Sequence, residues 1–434
     1  MNTDISTRSY LRSSLVKNHL KTITDKMSSI SVTTAALTGW PLTHMVALAT
    51  FAQIGTVAGI AVFPVIAPKL AADMGVDPSL VGYQISVIYA AATLGSPMLI
   101  WMVTRWGACR SIQLGLICTI IALAISLIAT LPALALASVL LGLAMCIMTP
   151  AAAHVLFRFS PPRRRNLVFS VKQTCVPAGW MFMALIAPPV TLALGWTWAV
   201  ALVMVFAAVM TVLLQGVRVQ WDDDRNPAAS VRGQAREGLT LLWRYPVLRA
   251  ISMASLFLSA VQLCLSSFAV TLLVKEAGYS LVAAGVMLSV APGAGVSARI
   301  LWGWMADRSG DGLGVLIRIG MAIVACCVVM GSMTASWPPY AAAALFLVFG
   351  ATAIGWNGLF LAEVASRSPP GKVGIATAGA MVWNFTGILV GPALFAMCVR
   401  VNGSYTATFG WLTVLAVAGL VLLLLTRRHA RDAV

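Results

Sequence analysis

Charge is scarce in this chain. Lysine, arginine, aspartate and glutamate make up 10% of its 434 residues, against roughly 25% in a soluble globular protein. Hydrophobic residues reach 60% and the mean hydropathy is +0.91, so most of the chain cannot face water. A prior of about 150 residues per soluble domain therefore has no purchase here. Acid is scarcer than base, 13 residues against 29, for a net charge of +16. A nucleic-acid binder collects its basic residues on one face of a soluble fold. Here they sit between apolar runs, which excludes nucleic acid as a partner.

Signatures of catalysis and metal binding are missing too. The histidines (His19, His44, His154, His429) are dispersed, and the eight cysteines form no CxxC pair or metal spacing. No metal site is expected, and the cysteines read as small packing residues. There is no Walker-type phosphate loop, no HExxH and no nucleophile elbow. Neither an ATPase nor a hydrolase is indicated, and no cofactor is expected. The stretch Gly293-Ala294-Gly295-Val296-Ser297-Ala298 satisfies G-x-G-x-x-A, but a dinucleotide site needs a strand before it. Inside an apolar run it reads as small-residue helix packing.

What the chain has is apolar runs of bilayer length. A helix needs about 20 mostly apolar residues to cross roughly 30 Å of hydrocarbon. Such runs lie near 44–66, 81–103, 111–130, 133–156, 167–189, 196–216, 250–273, 281–302, 314–333, 340–362, 374–396 and 406–426. The fold class is an all-α membrane protein of twelve spans. It divides into a tail (1–43), a six-helix bundle (44–216), a polar linker (217–249), a second six-helix bundle (250–426) and a short tail (427–434). The first tail lacks the compact apolar core of a signal peptide. Its Arg/Ser bias is faintly that of a transit peptide, but a cytoplasmic tail is the plainer reading. Counting Arg299 with the loop after span 8, one side carries 25 lysines and arginines and the other 3. The positive-inside rule then puts both termini in the cytoplasm, in a multi-pass protein of a bacterial inner membrane.

The halves repeat. Ser79-Leu80-Val81 matches Ser280-Leu281-Val282 at an offset of 201, residues 100–107 match 303–310 at 203, and Ser160-Pro161-Pro162 matches Ser368-Pro369-Pro370 at 208. Matches in the same order with a slowly growing offset indicate duplication, and parallel six-helix repeats are a transporter architecture with the solute site between halves.

Gly303-x-x-Ala306-Asp307-Arg308-x-Gly310 resembles the signature loop of the major facilitator superfamily. The first-half copy keeps only Arg105 and Gly107 of its core, with Thr104 where the acid would be. Lys172-Gln173-Thr174 is also similar to bacterial members that import small anions, including cyanate-permease-like proteins. The resemblance covers about residues 44–426 and implies alternating access: two halves rocking about a central site. It further implies that Asp307 caps a neighbouring helix and Arg308 pairs with an acid at a cytoplasmic helix end, keeping the inside closed. Glu363 at the end of span 10 is the expected partner of Arg308; its other reading is a proton-coupling carboxylate. With Thr104 in place of an acid, the first-half latch is expected to be the weaker.

Ionisable residues inside spans are costly and functional by default. Lys172 lies five residues into span 5, about 7.5 Å deep at ~1.5 Å per residue. Two placements are open to it: snorkelling to the headgroups, or pointing into the cavity, where an unpaired ammonium favours an anionic solute. Gln53, Gln173, Gln262, Asn357 and Asn384 either join helices or line a wet cavity. Trp180, Trp356 and Trp383, away from the interfacial belt, either wall that cavity or pack the core.

The reading is a secondary active transporter, a monomer in the lipid bilayer, taking up a small organic or inorganic anion, with protons as the candidate coupling ion. The rival is efflux of a drug or toxic metabolite. Span 5 lacks the glycine-rich pattern of the family's antiporters, which counts against it. A membrane-embedded enzyme would need convergent ionisable residues, and a sensor an appended domain; neither is seen.

Overall fold

A computed structural model describes residues 39–76, 78–228 and 231–432; the expected first tail lies almost wholly outside them. The described residues are helical, with no strand among them. Apolar solvent offers the backbone no partners, so a spanning segment must satisfy its own N–H and C=O groups, as a helix does.

Among the described residues, eleven segments are long and apolar enough to cross a bilayer. Spans 1 to 6 are Gly39–Met74, Pro78–Leu99 continued by Trp101–Trp106, Ala108–Ser126, Leu131–Phe159, Arg165–Gln173 continued by Cys175–Leu194, and Trp196–Gln215. Spans 7 to 12 are Pro246–Lys275, Leu281–Ser309, Gly312–Met330, Pro339–Ala353 continued by Asn357–Ser366, Val373–Asn402 and Tyr405–Asp432. Span 2, whose helix is interrupted at Ile100, is the one not among the eleven. The linker between spans 6 and 7 holds a short turn, Arg218–Trp221, and a helix, Val231–Arg244.

Polar caps set several span ends. Thr130, Ser280 and Asp311 each accept the backbone N–H three residues on, at 3.4, 3.2 and 2.8 Å, filling donors the first helical turn leaves open. Glu276, just past span 7, accepts from the N–H groups of Tyr405 (2.6 Å) and Thr406 (2.8 Å) and from the Ser404 hydroxyl (3.0 Å). Burial works against its charge, but these bonds hold its carboxyl below the ordinary glutamate value.

The two bundles use one packing scheme. Span 1 packs on 5 and 6, span 2 on 4, and span 3 on 4 and 6; correspondingly 7 packs on 11 and 12, 8 on 10, and 9 on 10 and 12. Between bundles, packing is carried by spans 2, 4 and 5 against 8, 10 and 11. It lies at the end bearing the arginine-rich loops, hereafter the basic end. There the Ser96 hydroxyl donates to the Ala378 carbonyl (2.8 Å), and residues 373–381 are buried without exception. The Tyr89 and Phe385 rings, 5.9 Å apart, meet at mid-depth. Beyond them span 11 presents Val390, Leu394, Met397 and Val401 outward. The seam between halves is closed at the basic end.

Three sequence expectations change. Span 5 begins at Arg165, not 167, and is broken at Thr174; span 10 is broken at residues 354–356. Arg299 belongs to span 8, where it is 1% exposed, and not to the loop with which it was counted.

Candidate functional site

Span 5 carries Lys172 and Gln173 at the end of its first helix, which breaks at Thr174. The cause is Pro177. Proline has no N–H and its ring crowds the carbonyl four residues back, so the Gln173 carbonyl loses its helical partner. The break in span 10 likewise leaves the Ile354 carbonyl outside a regular helix. Arg299 of span 8 fills both gaps. Its guanidinium donates through Nε (3.0 Å) and Nη2 (2.9 Å) to the Ile354 carbonyl, and through Nη1 to the Gln173 carbonyl across the seam. These bonds use three of the five N–H donors a guanidinium carries.

Lys172 does not snorkel. From the observed helix start it lies about 10 Å along the axis, and it is 2% exposed. Its ammonium donates to Oε1 of Gln53 in span 1 and to Oε1 of Gln173 (3.1 Å), while Gln53 Nε2 reaches Thr149 Oγ1 of span 4 (3.3 Å). Gln173 thus serves both cations, its side chain accepting from Lys172 and its backbone from Arg299. The Cys175 thiol, fully buried, lies within electrostatic range of both. Neither cation forms an ion pair among the described residues.

A second polar group adjoins the first through the break in span 10. The Trp356 Nε1–H and the Asn357 Nδ2–H both donate to Gln262 Oε1 of span 7, at 3.1 and 2.9 Å. Of the expected site residues, the structure therefore gathers Lys172, Gln173 and Gln53 in one cluster and Gln262, Trp356 and Asn357 in another. Asn384 is 5% exposed with its Nδ2 unpartnered. Trp180 and Trp383 are half-buried and hydrogen-bond to neither cluster. Arg299, which joins the clusters, was missed in the sequence. The available signal was its place three residues inside the predicted end of span 8.

The seam at the basic end closes on small residues. Ser170 of span 5 sits between Gly303 of span 8 and Gly358 of span 10. A β-carbon on Gly303 would come within 2.7 Å of the Ser170 side chain, and one on Gly358 would overlap the Ser170 backbone. One turn further out, the Asp307 carboxylate accepts from the backbone N–H groups of Asn166 (3.1 Å) and Leu167 (2.9 Å) and from Asn166 Nδ2 (2.9 Å). An acid of the second half thereby caps a helix of the first, where the helix dipole favours it. Gly310 ends span 8 with φ +64°, which glycine adopts without strain.

Arg308 does not pair with Glu363. It is exposed and lies over the Trp304 ring, 5.2 Å from its centroid. Glu363 is bonded instead to Arg367, one turn along its own helix, a spacing at which helix side chains meet directly. Both stay beside the loop, lining with Arg163, Asn166, Asp307 and Asp311 a cavity of about 460 Å³. Burial pushes the Arg367 guanidinium below its usual value.

In the first half Arg105 is exposed, and the linker supplies the acid that Thr104 does not. Asp222 accepts from the N–H groups of Cys109 (2.7 Å) and Arg110 (3.2 Å), capping span 3. Burial leaves its carboxyl above the ordinary aspartate value despite those bonds. The carboxylate presses on Gly107, where φ is +103° and a β-carbon would stand 2.6 Å from Asp222 Cβ; only glycine fits. Asp223 and Asp224 bind Arg158 of span 4, and Asp224 also meets His154 at 2.7 Å. Across the seam, Glu237 of the linker helix pairs at 2.5 Å with Lys372 at the start of span 11.

A sequence profile of the Major Facilitator Superfamily matches residues 46–392. No curated protein matches the chain in sequence at a significant level. Among solved structures, the human organic anion transporter MFSD10 (TETRAN) is similar at a TM-score of 0.73 and 14% identity, covering 89% of this chain and 100% of that one. A bacterial homologue of the iron transporter ferroportin, in its outward-facing state, gives 0.71 and 13%, covering 90% and 99%. The proton:xylose symporter XylE gives 0.69 and 15%, covering 88% and 94%. At these identities the likeness is one of fold.

Proposed function

The chain belongs to the major facilitator superfamily, a family of membrane transporters and not of enzymes, and on that premise we propose that it carries a small anion by alternating access, with Lys172 and Arg299 as the charges that receive it. One observation carries this reading: two cations, one from each half, are buried at the seam with only neutral oxygens for partners. Burying a charge without a counter-charge is expensive, and the cost is recovered when an anion supplies one. Donors remain for it, two N–H of Arg299 and one of Lys172. The acids of the described spans lie towards helix ends (Asp307, Glu363), so the middle of the seam holds nothing to repel an anion.

The positive-inside bias makes the basic end cytoplasmic, and the closed seam there corresponds to a state open to the outside. We read the direction as uptake across a bacterial inner membrane, a reading supported by a span 5 without the antiporter glycines. Sugar and iron carriers among the structural neighbours share this fold, so the cargo is argued from the charge of the site and not from the architecture.

The test is uptake into proteoliposomes of nitrate, formate and oxalate beside xylose and a lipophilic cation. Wild type should take up one or more of the anions and neither of the others. A unit charge 4 Å from another at an effective dielectric of 20 is worth about 4 kcal/mol. Allowing for solvent and rearrangement, Lys172→Ala should weaken the apparent affinity at least tenfold. Uptake of the cation or the sugar alone would sink the anion reading, and an unchanged affinity would remove Lys172 from the site.

A further inference from the structure

The contact between Arg299 and the Gln173 carbonyl lies where, on the reading above, the anion binds, and it also crosses between halves. We infer that it is an internal surrogate for the anion: a lock made by Pro177, which an arriving anion displaces to free the basic end.

Three observations converge. Pro177 strips the Gln173 carbonyl of its helical donor, and the helix indeed breaks at Thr174. The stripped carbonyl accepts from a guanidinium of the other half. Three residues nearer the basic end on the same helix, Ser170 fills the glycine-lined crossing formed by Gly303 and Gly358. Span 5 is thus held to spans 8 and 10 by one polar bond at the site and by close packing just below it. The carbonyl is neutral, whereas an anion adds a charge–charge attraction at short range and reduced dielectric, so an anion outcompetes the carbonyl for Arg299. Once the carbonyl is released, only packing and the Asp307 cap keep the crossing shut. The site and the gate therefore share one residue, and Pro177 is a positioning residue acting through Gln173.

Restoring an N–H at position 177 gives the carbonyl a local donor and takes it from Arg299. The experiment uses the full chain in proteoliposomes, its native cysteines replaced, with Ser170→Cys as reporter of the crossing and a membrane-impermeant maleimide applied from the basic side. Without any anion, Pro177→Ala and Pro177→Ser should each label several-fold faster than the parent. In the parent, saturating oxalate should raise labelling likewise. In both Pro177 variants oxalate should bind roughly tenfold more tightly, about 1.4 kcal/mol, because no surrogate competes. Anion-free labelling that is the same with and without Pro177 overturns the lock, whatever binds. Faster labelling in the variants, together with no response of the parent to any anion, leaves the lock standing and counts against the anion reading alone.

Discussion

Replacing Arg299 with leucine should lower anion uptake to about 1% of wild type or less and should also loosen the protein. The two effects have separate causes. Uptake falls because the guanidinium is the charge that the second half brings to the seam, and no other cation on spans 7 to 12 is buried among the described residues. Stability falls because the Gln173 and Ile354 carbonyls are left without donors in a dry interior, at about 1–3 kcal/mol for each unsatisfied group. Arg299→Lys separates them. It keeps the charge, but a compact ammonium cannot reproduce the fork that reaches spans 5 and 10 together, so it should restore part of the uptake and little of the stability. Initial uptake rates beside thermal unfolding in detergent read both. A leucine variant transporting at a third of the wild-type rate would take Arg299 out of the site.

The second large effect is expected at Gly358. Valine there has no room, since its first carbon overlaps the Ser170 backbone and stands 2.9 Å from the Ser170 hydroxyl oxygen. Overpacking of this kind costs about 1–3 kcal/mol, and the whole cost falls on the state in which spans 5 and 10 touch. At 1.4 kcal/mol per decade, the balance should shift roughly five- to a hundred-fold towards a seam open at the basic end. Gly285→Ala is the control, for nothing lies within 4 Å of a β-carbon there. Labelling from the basic side should rise in Gly358→Val and stay level in Gly285→Ala. Equal labelling in the two would mean that the crossing is not the gate.

Most of the architecture is legible in the sequence because bilayer thickness imposes a length on every apolar run. The duplication shows for a similar reason, since equivalent loops in both halves keep equivalent turns. The polar pairing is less legible. Asp307 lies one helical step from Arg308, and about 100° of rotation sends the first towards span 5 and the second to the surface; spacing alone treats them as a pair. Glu363 had a nearer partner in Arg367, four residues on in sequence, than in Arg308 on another helix. Arg299 was hidden by its position. A cation three residues from a predicted span end reads as a loop residue until the helix proves to run on to Ser309. The acids that serve the degenerate first half come from the linker, at Asp222, Asp223 and Asp224, where no repeat offset points.

The imbalance of charge at the seam has an electrical consequence. A centre holding the fixed charge of Arg299, and that of Lys172 when protonated, feels the transmembrane voltage whenever it moves, at about 2.3 kcal/mol per elementary charge per 100 mV across the full field. A divalent cargo would cancel two such charges and a monovalent one would leave one, so the valence of the cargo fixes whether the loaded half of the transport cycle feels the membrane potential as the empty half does.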